Sequence, residues 1–316
     1  MFFWQRKPRI ERPKVVMTLL VRDEADTIDL FIRHHSGMGI DALIVTDNGS
    51  CDGTREILER HRRDGLIAEI IDEPTQAYDQ PRFVNRMICR AREHYGADYC
   101  INADADEFWH CTSGSLTQEL SHIRSSKILC SSFYMLPTSD PGFWNAIDRC
   151  VKRANPGKFE ITPYYNLFVA PIPKVIHRTH GYRMIEMGNH GVHMDDDFPL
   201  PHPALARLRS SLSYRYARRS KNILVYHYSL RSVEQFKRKI IQGGAALEAN
   251  TSSPYRQGSH WRHLYRAHQE NTLNLEHEFY KITAAAQLDK LRKAGIVVSD
   301  STMKATLARL QANTSV

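Results

Sequence analysis

The chain has 316 residues, 42% of them hydrophobic, and a formal net charge of +8. This length and apolar content suffice for one large core, or for one core with a small annex. The excess of Lys and Arg is compatible with nucleic-acid binding, but no helix-turn-helix, zinc-finger or RNP signature accompanies it. We therefore expect no nucleic-acid partner.

Residues 1–13 are predicted to form an N-terminal tail. Its start is aromatic and basic and lacks the central apolar region of a signal peptide, although peripheral contact with a membrane surface is an alternative to a plain tail. No apolar run reaches transmembrane length. The six cysteines are scattered without a C-x-x-C pair, which is typical of reduced thiols. These features predict a cytoplasmic protein.

The first third of the chain alternates apolar runs with segments of helical spacing. The predicted strands cover residues 14–21, 42–46, 66–71 and 99–103. The predicted helices lie between them, around residues 28–35, 54–65 and 84–95. This alternation predicts an α/β fold with a doubly wound, mostly parallel sheet.

The later part of the chain is less periodic. Residues 131–180 mix aromatic residues with Pro and Gly and predict a β-rich region. Ser232 and Gln235 have the spacing of a capping box, which predicts a helix that follows. Two amphipathic helices are predicted near the end of the chain, over 275–293 and 302–310.

Three predicted strands end in acidic or polar residues: 22–24, 47–52 and 104–107. Because ligands bind outside the carboxyl ends of strands in open α/β sheets, we expect these clusters to meet at one crevice. Asp104 and Asp106 lie two residues apart, so an extended chain would point both carboxylates the same way, towards one hard divalent cation.

The sequence also disfavours other sites. It has no G-x-G-x-x-G after the first strand and no G-x-x-x-x-G-K-[ST], which argues against a dinucleotide fold and a P-loop. His190 and His193, followed by three aspartates, would lack a third protein ligand at a known spacing, so we do not expect zinc there.

These motifs together resemble glycosyltransferase family 2, whose members have the GT-A fold, in the branch with an Asp-x-Asp-Glu-Phe metal motif. The matching segments, in order, are Arg22-Asp23-Glu24, Asp47-Asn48-Gly49-Ser50-Cys51-Asp52-Gly53-Thr54, Gln80 with Asn85, Asp104-Ala105-Asp106-Glu107-Phe108, and His227-Tyr228-Ser229-Leu230-Arg231-Ser232. The resemblance covers roughly residues 14–110 and 223–245. It implies a metal-dependent transferase that uses a nucleotide-sugar, a UDP-sugar in our interpretation, with inversion at the anomeric carbon.

The resemblance also implies a domain plan and a class of substrate. Residues 14–245 would form the GT-A-like domain, with a nucleotide-sugar half (14–110) and an acceptor half (111–245), and 246–316 would be a C-terminal helical extension. The acceptor would be a carbohydrate or a lipid-linked molecule, as in polysaccharide biosynthesis.

Residue roles follow from the matched motifs. Asp106 would bind Mn²⁺ or Mg²⁺ directly, Asp104 would bind ribose or a metal-bound water, and His227 would be a further ligand of the metal or diphosphate. Asp47 would accept a hydrogen bond from the uracil N3–H. The remaining residues expected near the donor are Asp23, Glu24, Asp52, Gln80 and Asn85.

The general base is not identified by any motif. Inversion needs an Asp or Glu within reach of the acceptor hydroxyl, and the family's usual Glu-Asp motif is not recognisable here. Glu186, Asp195 and Asp196 are the candidates. Two other functions stay open: a catalytically silent nucleotide-sugar-binding module of the same fold, and a nucleotidyltransferase. The latter would need a Gly-rich, basic loop where residues 21–26 are acidic.

Overall fold

The computed structural model describes residues 9–75, 79–138, 140–155, 158–159, 169–195, 217–249 and 259–312. These residues divide into two units. The first consists of Met1–Thr75, Asp79–Ser132 and Pro173–Val225, and the second of Gln76–Tyr78, Phe133–Ile172 and Tyr226–Val316.

The strands and helices alternate at first and become mixed later. The strands are β1 (Val15–Val21), β2 (Ala42–Asp47), β3 (Glu69–Asp72), β4 (Tyr99–Asp104), β5 (Glu107–Cys111), β6 (Lys127–Tyr134), β7 (Asp148–Cys150), β8 (Ile172–Arg178), β9 (Tyr182–Ile185), β10 (Val192–Met194), β11 (Arg218–His227) and β12 (Val297–Ser299). The helices are α1 (Ile28–Ser36), α2 (Thr54–Arg63), α3 (Gln80–Glu93), α4 (Leu116–Ser121), α5 (Val233–Ala249), α6 (Ser259–Gln269), α7 (Leu275–Thr283), α8 (Ala285–Lys293) and α9 (Thr302–Ala312). Two 3₁₀ turns occur at Phe143–Asn145 and Met187–Asn189.

The first unit is built on an eight-stranded sheet of order β3-β2-β1-β4-β8-β6-β11-β5. The pairs β2–β3, β1–β2 and β1–β4 are parallel, and β8 joins β4 antiparallel. The predicted α/β fold class, with a mostly parallel sheet and C-terminal helices, is thereby confirmed. In the described ranges no helix is both long and apolar enough to cross a membrane.

Local patterning explains the helix α1. Ile28, Phe31, Ile32 and His35 are all buried, as their spacing predicts, and the helix ends at Ser36, before Gly37. The start of β3 was predicted wrongly. Residues 66 and 67 donate their backbone N–H groups to the carbonyl of His61 and so close the end of α2, which delays the strand to Glu69.

The second unit contains the predicted capping box. The hydroxyl of Ser232 accepts from the backbone N–H of Gln235 at 3.1 Å, and the Gln235 side chain accepts from the N–H of Arg231 at 3.3 Å, so α5 begins as expected. The helix predicted over 275–293 is instead two helices, because Ala284 has extended backbone (φ −60°, ψ 119°) between α7 and α8. The buried core of this unit includes Leu136, Cys150, Leu230, Phe236, Ile240, Leu264, Leu275, Leu291 and Val297.

Two buried histidines lie where α1 meets β5. His35 donates from Nδ1 to the carbonyl of Phe31 (2.8 Å) and accepts at Nε2 from the backbone N–H of Trp109 (3.1 Å). His34 donates from Nε2 to the carbonyl of Trp109 (2.6 Å). Loss of solvent lowers the pKa of His34 to about 4 and that of His35 well below its usual value, so both rings are neutral.

A third buried histidine, His177 on β8, is also held neutral. Its Nδ1 donates to the carbonyl of Arg178 and its Nε2 accepts from the amide of Asn102, both at 3.0 Å. The amide oxygen of Asn102 accepts in turn from the hydroxyl of Thr18 at 2.7 Å. A proton added to Nε2 would face the amide donor, and burial lowers the pKa of His177 to about 4.

We expect these histidines to make the fold acid-sensitive. From pH 6.5 down to about 4 the unfolded chain binds protons that the folded chain does not, so the free energy of unfolding falls as pH falls. At about pH 5 the cost is roughly 2 kcal/mol each for His34 and His177. Urea denaturation at neutral pH and at about pH 5 measures it. Equal stabilities at the two values would contradict neutral buried rings.

Candidate active site

The loops that follow β1 and β2 are joined by hydrogen bonds. Asp23, just past β1, accepts at Oδ1 from the backbone N–H of Cys51 (2.8 Å) and donates its own N–H to the hydroxyl of Ser50 (3.1 Å). Its φ of 54° is left-handed, a conformation that non-glycine residues adopt at an energetic cost. Asp23 therefore holds an unusual backbone at the strand end, against the neighbouring loop.

Asp52 ties the same two loops together a few residues further on. Its Oδ2 accepts from the backbone N–H of Ala25 (3.2 Å), and its Oδ1 accepts from the hydroxyl (2.6 Å) and N–H (3.1 Å) of Thr54. The hydroxyl of Thr54 also accepts from the N–H of Glu24 at 2.8 Å. Asp52 and Glu24 thus lie together, as the sequence predicts for two strand ends that meet.

Asp47 ends β2 and is buried. Its Oδ1 accepts from the backbone N–H of Ser50 (3.0 Å), and its Oδ2 lies 3.4 Å from Nη1 of Arg55. Arg55 also pairs with Glu59 (2.9 Å) and with Asp72. The Asp47 carboxylate is therefore held in place at the edge of the loop by one amide and one guanidinium.

The acidic motif forms the link between β4 and β5. Asp104 ends β4, Ala105 and Asp106 form a turn, and Glu107 begins β5, so the extended geometry expected from Asp104 to Asp106 is replaced by a turn. The hydroxyl of Thr27, in the loop after β1, donates to the carbonyl of Ala105 at 3.1 Å. This bond brings the third acidic cluster against the first, and the predicted meeting of the strand ends is observed.

Asp104 accepts from three donors that come from distant parts of the sequence. Its Oδ1 lies 3.3 Å from the amide nitrogens of both Gln80 and Asn189, and its Oδ2 lies 3.4 Å from Nζ of Lys174. The Gln80 side chain also accepts from the backbone N–H of Gly188 at 2.8 Å. Of the sequence-predicted residues, Gln80 and Asp104 are therefore in direct contact.

Lys174 and Asn189 were not found from the sequence. Lys174 is a buried lysine in the strand β8, and Gly188-Asn189 is a turn-forming pair whose two residues both have positive φ (77° and 57°). Each signal is present in the sequence, but neither indicates the partner. Only the fold brings β8 and the 3₁₀ turn against Asp104.

Glu186 directly precedes the same 3₁₀ turn and faces a histidine. Its Oε1 lies 2.9 Å from Nε2 of His193, and because an ionised carboxylate can only accept, this nitrogen carries the proton. The hydrogen bond from His193 lowers the pKa of Glu186, with smaller contributions from the charges of Lys127 and His190. Glu186 is therefore a carboxylate at neutral pH.

Gly191 lies directly against the carboxylate of Glu186. A Cβ at residue 191 would overlap Oε2 of Glu186, so a side chain there would displace the carboxylate from its present position. Glu186 and Gly191 are also joined through their backbones, N–H to carbonyl, at 2.8 Å. The carboxylate of Glu186 therefore lies between Gly191 and His193.

The other candidate bases differ from Glu186. Asp195 is an exposed partner of Arg183 at 2.5 Å, with side-chain exposures of 61% and 60%, respectively. Asp196 lies outside the described residues. His190, considered with His193 for zinc, contacts the carbonyl of Pro173 at 3.1 Å.

Two predicted site residues have other contacts. Asn85, in α3, accepts from the hydroxyl of Tyr182, which stacks on His177. His227 ends β11 and belongs to the second unit, where its ring stacks on Tyr134 with a 4.8 Å centroid separation. Neither of these two contacts involves the acidic turn formed by Asp104 to Glu107.

The acidic turn fits a divalent cation that arrives with its own oxygen ligands. Among the residues that the structure describes, no three His, Cys, Asp or Glu side chains form a group that could hold a metal ion by themselves. One or two carboxylates are nevertheless what Mg²⁺ uses when substrate phosphates complete its coordination. Asp104, with 31% of its side chain exposed, and Asp106 offer that donor set.

Comparisons with known proteins gave structural matches of low similarity. No protein-family model and no curated sequence matches this chain. Similar solved structures include TarS of S. aureus (13% identity, 80% of this chain, 43% of that chain, TM-score 0.38), so this chain spans less than half of that protein. The mannosyltransferase PcManGT from Pyrobaculum calidifontis, in complex with GDP-Man and Mn²⁺, matches at 14% identity (96% and 81% covered, TM-score 0.39). Glucosyl-3-phosphoglycerate synthase from Mycobacterium tuberculosis, in complex with Mn²⁺, UDP and glucosyl-3-phosphoglycerate, matches at 14% identity (77% and 81%, TM-score 0.37). At this similarity the assignment of function rests on the residues of this chain.

Proposed function

We propose that this chain is a metal-dependent glycosyltransferase that moves a sugar from a nucleotide-sugar, preferably a UDP-sugar, to an acceptor hydroxyl with inversion. The observation that carries the proposal is the set of hydrogen bonds that joins the loops after β1, β2 and β4. These loops contain the residues that resemble the donor-binding motifs of glycosyltransferase family 2. They lie at the carboxyl ends of parallel strands, where α/β proteins bind phosphorylated ligands.

Asp106 and Asp104 would hold Mn²⁺ or Mg²⁺ together with the donor diphosphate. A cation bound there would act as a Lewis acid that stabilises negative charge on the departing nucleoside diphosphate. The protein's own contribution is to keep both carboxylates fixed. The amides of Gln80 and Asn189 support this role, because they restrict Asp104 to one orientation.

The nucleoside would lie against the loops after β1 and β2. Asp47 would accept from the uracil N3–H, since its carboxylate is already oriented by Ser50 and Arg55. Asp23, Glu24 and Asp52 would shape the floor of this site through the bonds that join the two loops.

Glu186 is the general base in this proposal. It is ionised at neutral pH, it is held by His193, and it is three residues from Asn189, which contacts Asp104. In the reaction it would take the proton of the acceptor hydroxyl as that oxygen attacks the anomeric carbon and the carbon–diphosphate bond breaks. The acceptor would be a carbohydrate or lipid-linked hydroxyl.

His227 remains a proposed further ligand of the metal or the diphosphate. The two alternatives also stay distinct: a silent binding module would bind UDP without turnover, and a nucleotidyltransferase would release pyrophosphate instead of a nucleoside diphosphate.

A donor panel tests the proposed function. Nucleoside diphosphate release is measured from several UDP-sugars and from GDP-mannose, with excess Mn²⁺ or with chelator, in the presence of mixed sugar acceptors. We expect Mn²⁺-dependent UDP release, and faster turnover of a UDP-sugar than of GDP-mannose because Asp47 pairs with the uracil N3–H. Tight UDP binding without any release would support the silent module, and faster GDP release would refute the role of Asp47.

A further inference from the structure

Lys174 brings a buried positive charge into the acidic turn. Only 2% of its side chain is exposed, and its Nζ lies 2.6 Å from Oε1 of Glu107 and 3.4 Å from Oδ2 of Asp104. The ammonium also donates to the carbonyl of Gly188 at 2.7 Å. Three oxygens from the β4–β5 link and the 3₁₀ turn therefore surround one lysine of β8.

Burying these charges costs free energy. The neighbours of Lys174 along β8, Val175 and Ile176, are buried hydrophobic residues. Removing an ammonium and a carboxylate from water usually costs more than packing apolar residues of similar volume. Glu107 is itself fully buried, with no exposed side-chain surface, so its charge is balanced inside the protein.

The contacts of Lys174 are unequal. The short contacts reach Glu107 and Gly188, and the long one reaches Asp104, which is the more exposed carboxylate. Lys174 therefore fixes the start of β5 and the 3₁₀ turn firmly and holds Asp104 more loosely. The same turn supplies Asn189, the second group that orients Asp104.

We propose that Lys174 is a positioning residue that acts as a built-in cation of the acidic turn, keeping its carboxylates together before a divalent ion binds. The inference rests on the proposed function, because it assigns the metal to this turn. With Lys174 in place, its ammonium offsets the charge of Glu107. The fold of the turn then does not depend on the metal. Without Lys174, a divalent ion bound at the turn would offset the charge of Asp104 and Glu107.

The test compares Lys174→Met with Lys127→Met by thermal melting, with and without excess Mn²⁺, in the absence of nucleotide. Lys127 is the matched control, since it is also a buried lysine of the first unit, with Nζ 3.4 Å from the carbonyl of Val192. We expect Lys174→Met to lower Tm by about 5–10 °C and Mn²⁺ to restore at least half of that loss. Lys127→Met should also melt earlier, but Mn²⁺ should not restore it, and the wild type should barely respond to Mn²⁺ alone.

A double variant covers the case in which Lys174→Met does not fold. Lys174→Met combined with Glu107→Gln removes both charges of the shortest pair, so it should fold and melt closer to the wild type than the single variant, without metal. The proposal is overturned if Mn²⁺ stabilises neither variant of Lys174 beyond the control, or if the double variant is as unstable as the single one. These readouts need no turnover, so a failed donor panel with the expected melting pattern would refute the proposed reaction and leave the role of Lys174 intact.

Discussion

Replacement of Asp106 with asparagine is expected to lower the rate of sugar transfer by about a thousandfold and to abolish the effect of Mn²⁺ on UDP affinity. Asparagine has nearly the same shape but lacks the full charge that would bind the cation, and loss of one such electrostatic group costs on the order of 10²–10³ in rate. Asp106 is 3% exposed and lies in a turn, so the change should leave the sheet intact. Calorimetric titration of UDP with and without Mn²⁺, alongside turnover, measures both effects.

The matched control for this variant is Asp98→Asn. Asp98 directly precedes β4, at the opposite end from Asp106, where its carboxylate accepts from the backbone N–H of Lys14 at 2.8 Å. Asp98→Asn removes the same charge at the other end of β4, so transfer should stay within a few-fold of the wild type. Equal losses in both variants, or Mn²⁺-dependent UDP binding in Asp106→Asn, would remove Asp106 from the site.

Replacement of Glu186 with glutamine is expected to lower kcat by about 10²–10⁴ while UDP affinity stays unchanged, because a base acts on the acceptor and not on the donor. Glutamine can keep the contact with His193 but cannot take a proton. The strands β9 and β10 pair as an antiparallel hairpin whose connecting segment contains Glu186. The matched control is Asp195→Asn, since Asp195 is an exposed carboxylate at the end of this hairpin, paired with Arg183. Steady-state kinetics at saturating donor, together with UDP titration, separates the two effects.

The base assignment has a clear contrary result. If Asp195→Asn loses as much kcat as Glu186→Gln, or if Glu186→Gln keeps most of its activity, then Glu186 is a structural partner of His193 and the base lies elsewhere. A loss of UDP affinity in Glu186→Gln would likewise show that the hairpin supports the donor site.

The predictable part of the fold depends on local periodicity. The buried face of α1, the apolar runs of β1, β2 and β4, and the capping box before α5 each follow from residues close together in the sequence. The start of β3 and the break at Ala284 were missed because each depends on a backbone arrangement that side-chain patterns do not encode.

The site was predictable where topology alone decides position. Parallel strands present their carboxyl ends at one edge, so Asp23, Asp52 and Ala105 had to come close. The position of β5 was not predictable, because only two residues separate it from β4 and yet it lies at the far edge of the sheet.

The groups that surround Asp104 could not be predicted for a related reason. Lys174 and Asn189 are 70 and 85 residues away along the chain and belong to an antiparallel strand and a 3₁₀ turn. A lysine within a strand and a left-handed turn are each unusual features, but only tertiary packing decides which groups they contact.

A crystal structure of the protein with UDP and Mn²⁺, with the metal located by its anomalous scattering, tests the proposed metal site most directly. We expect Mn²⁺ to lie at coordination distance from the Asp106 carboxylate and the UDP diphosphate, with the uracil against the loop that contains Asp47 and Ser50. A diphosphate bound away from the β4–β5 turn, with no metal on Asp106, would contradict it.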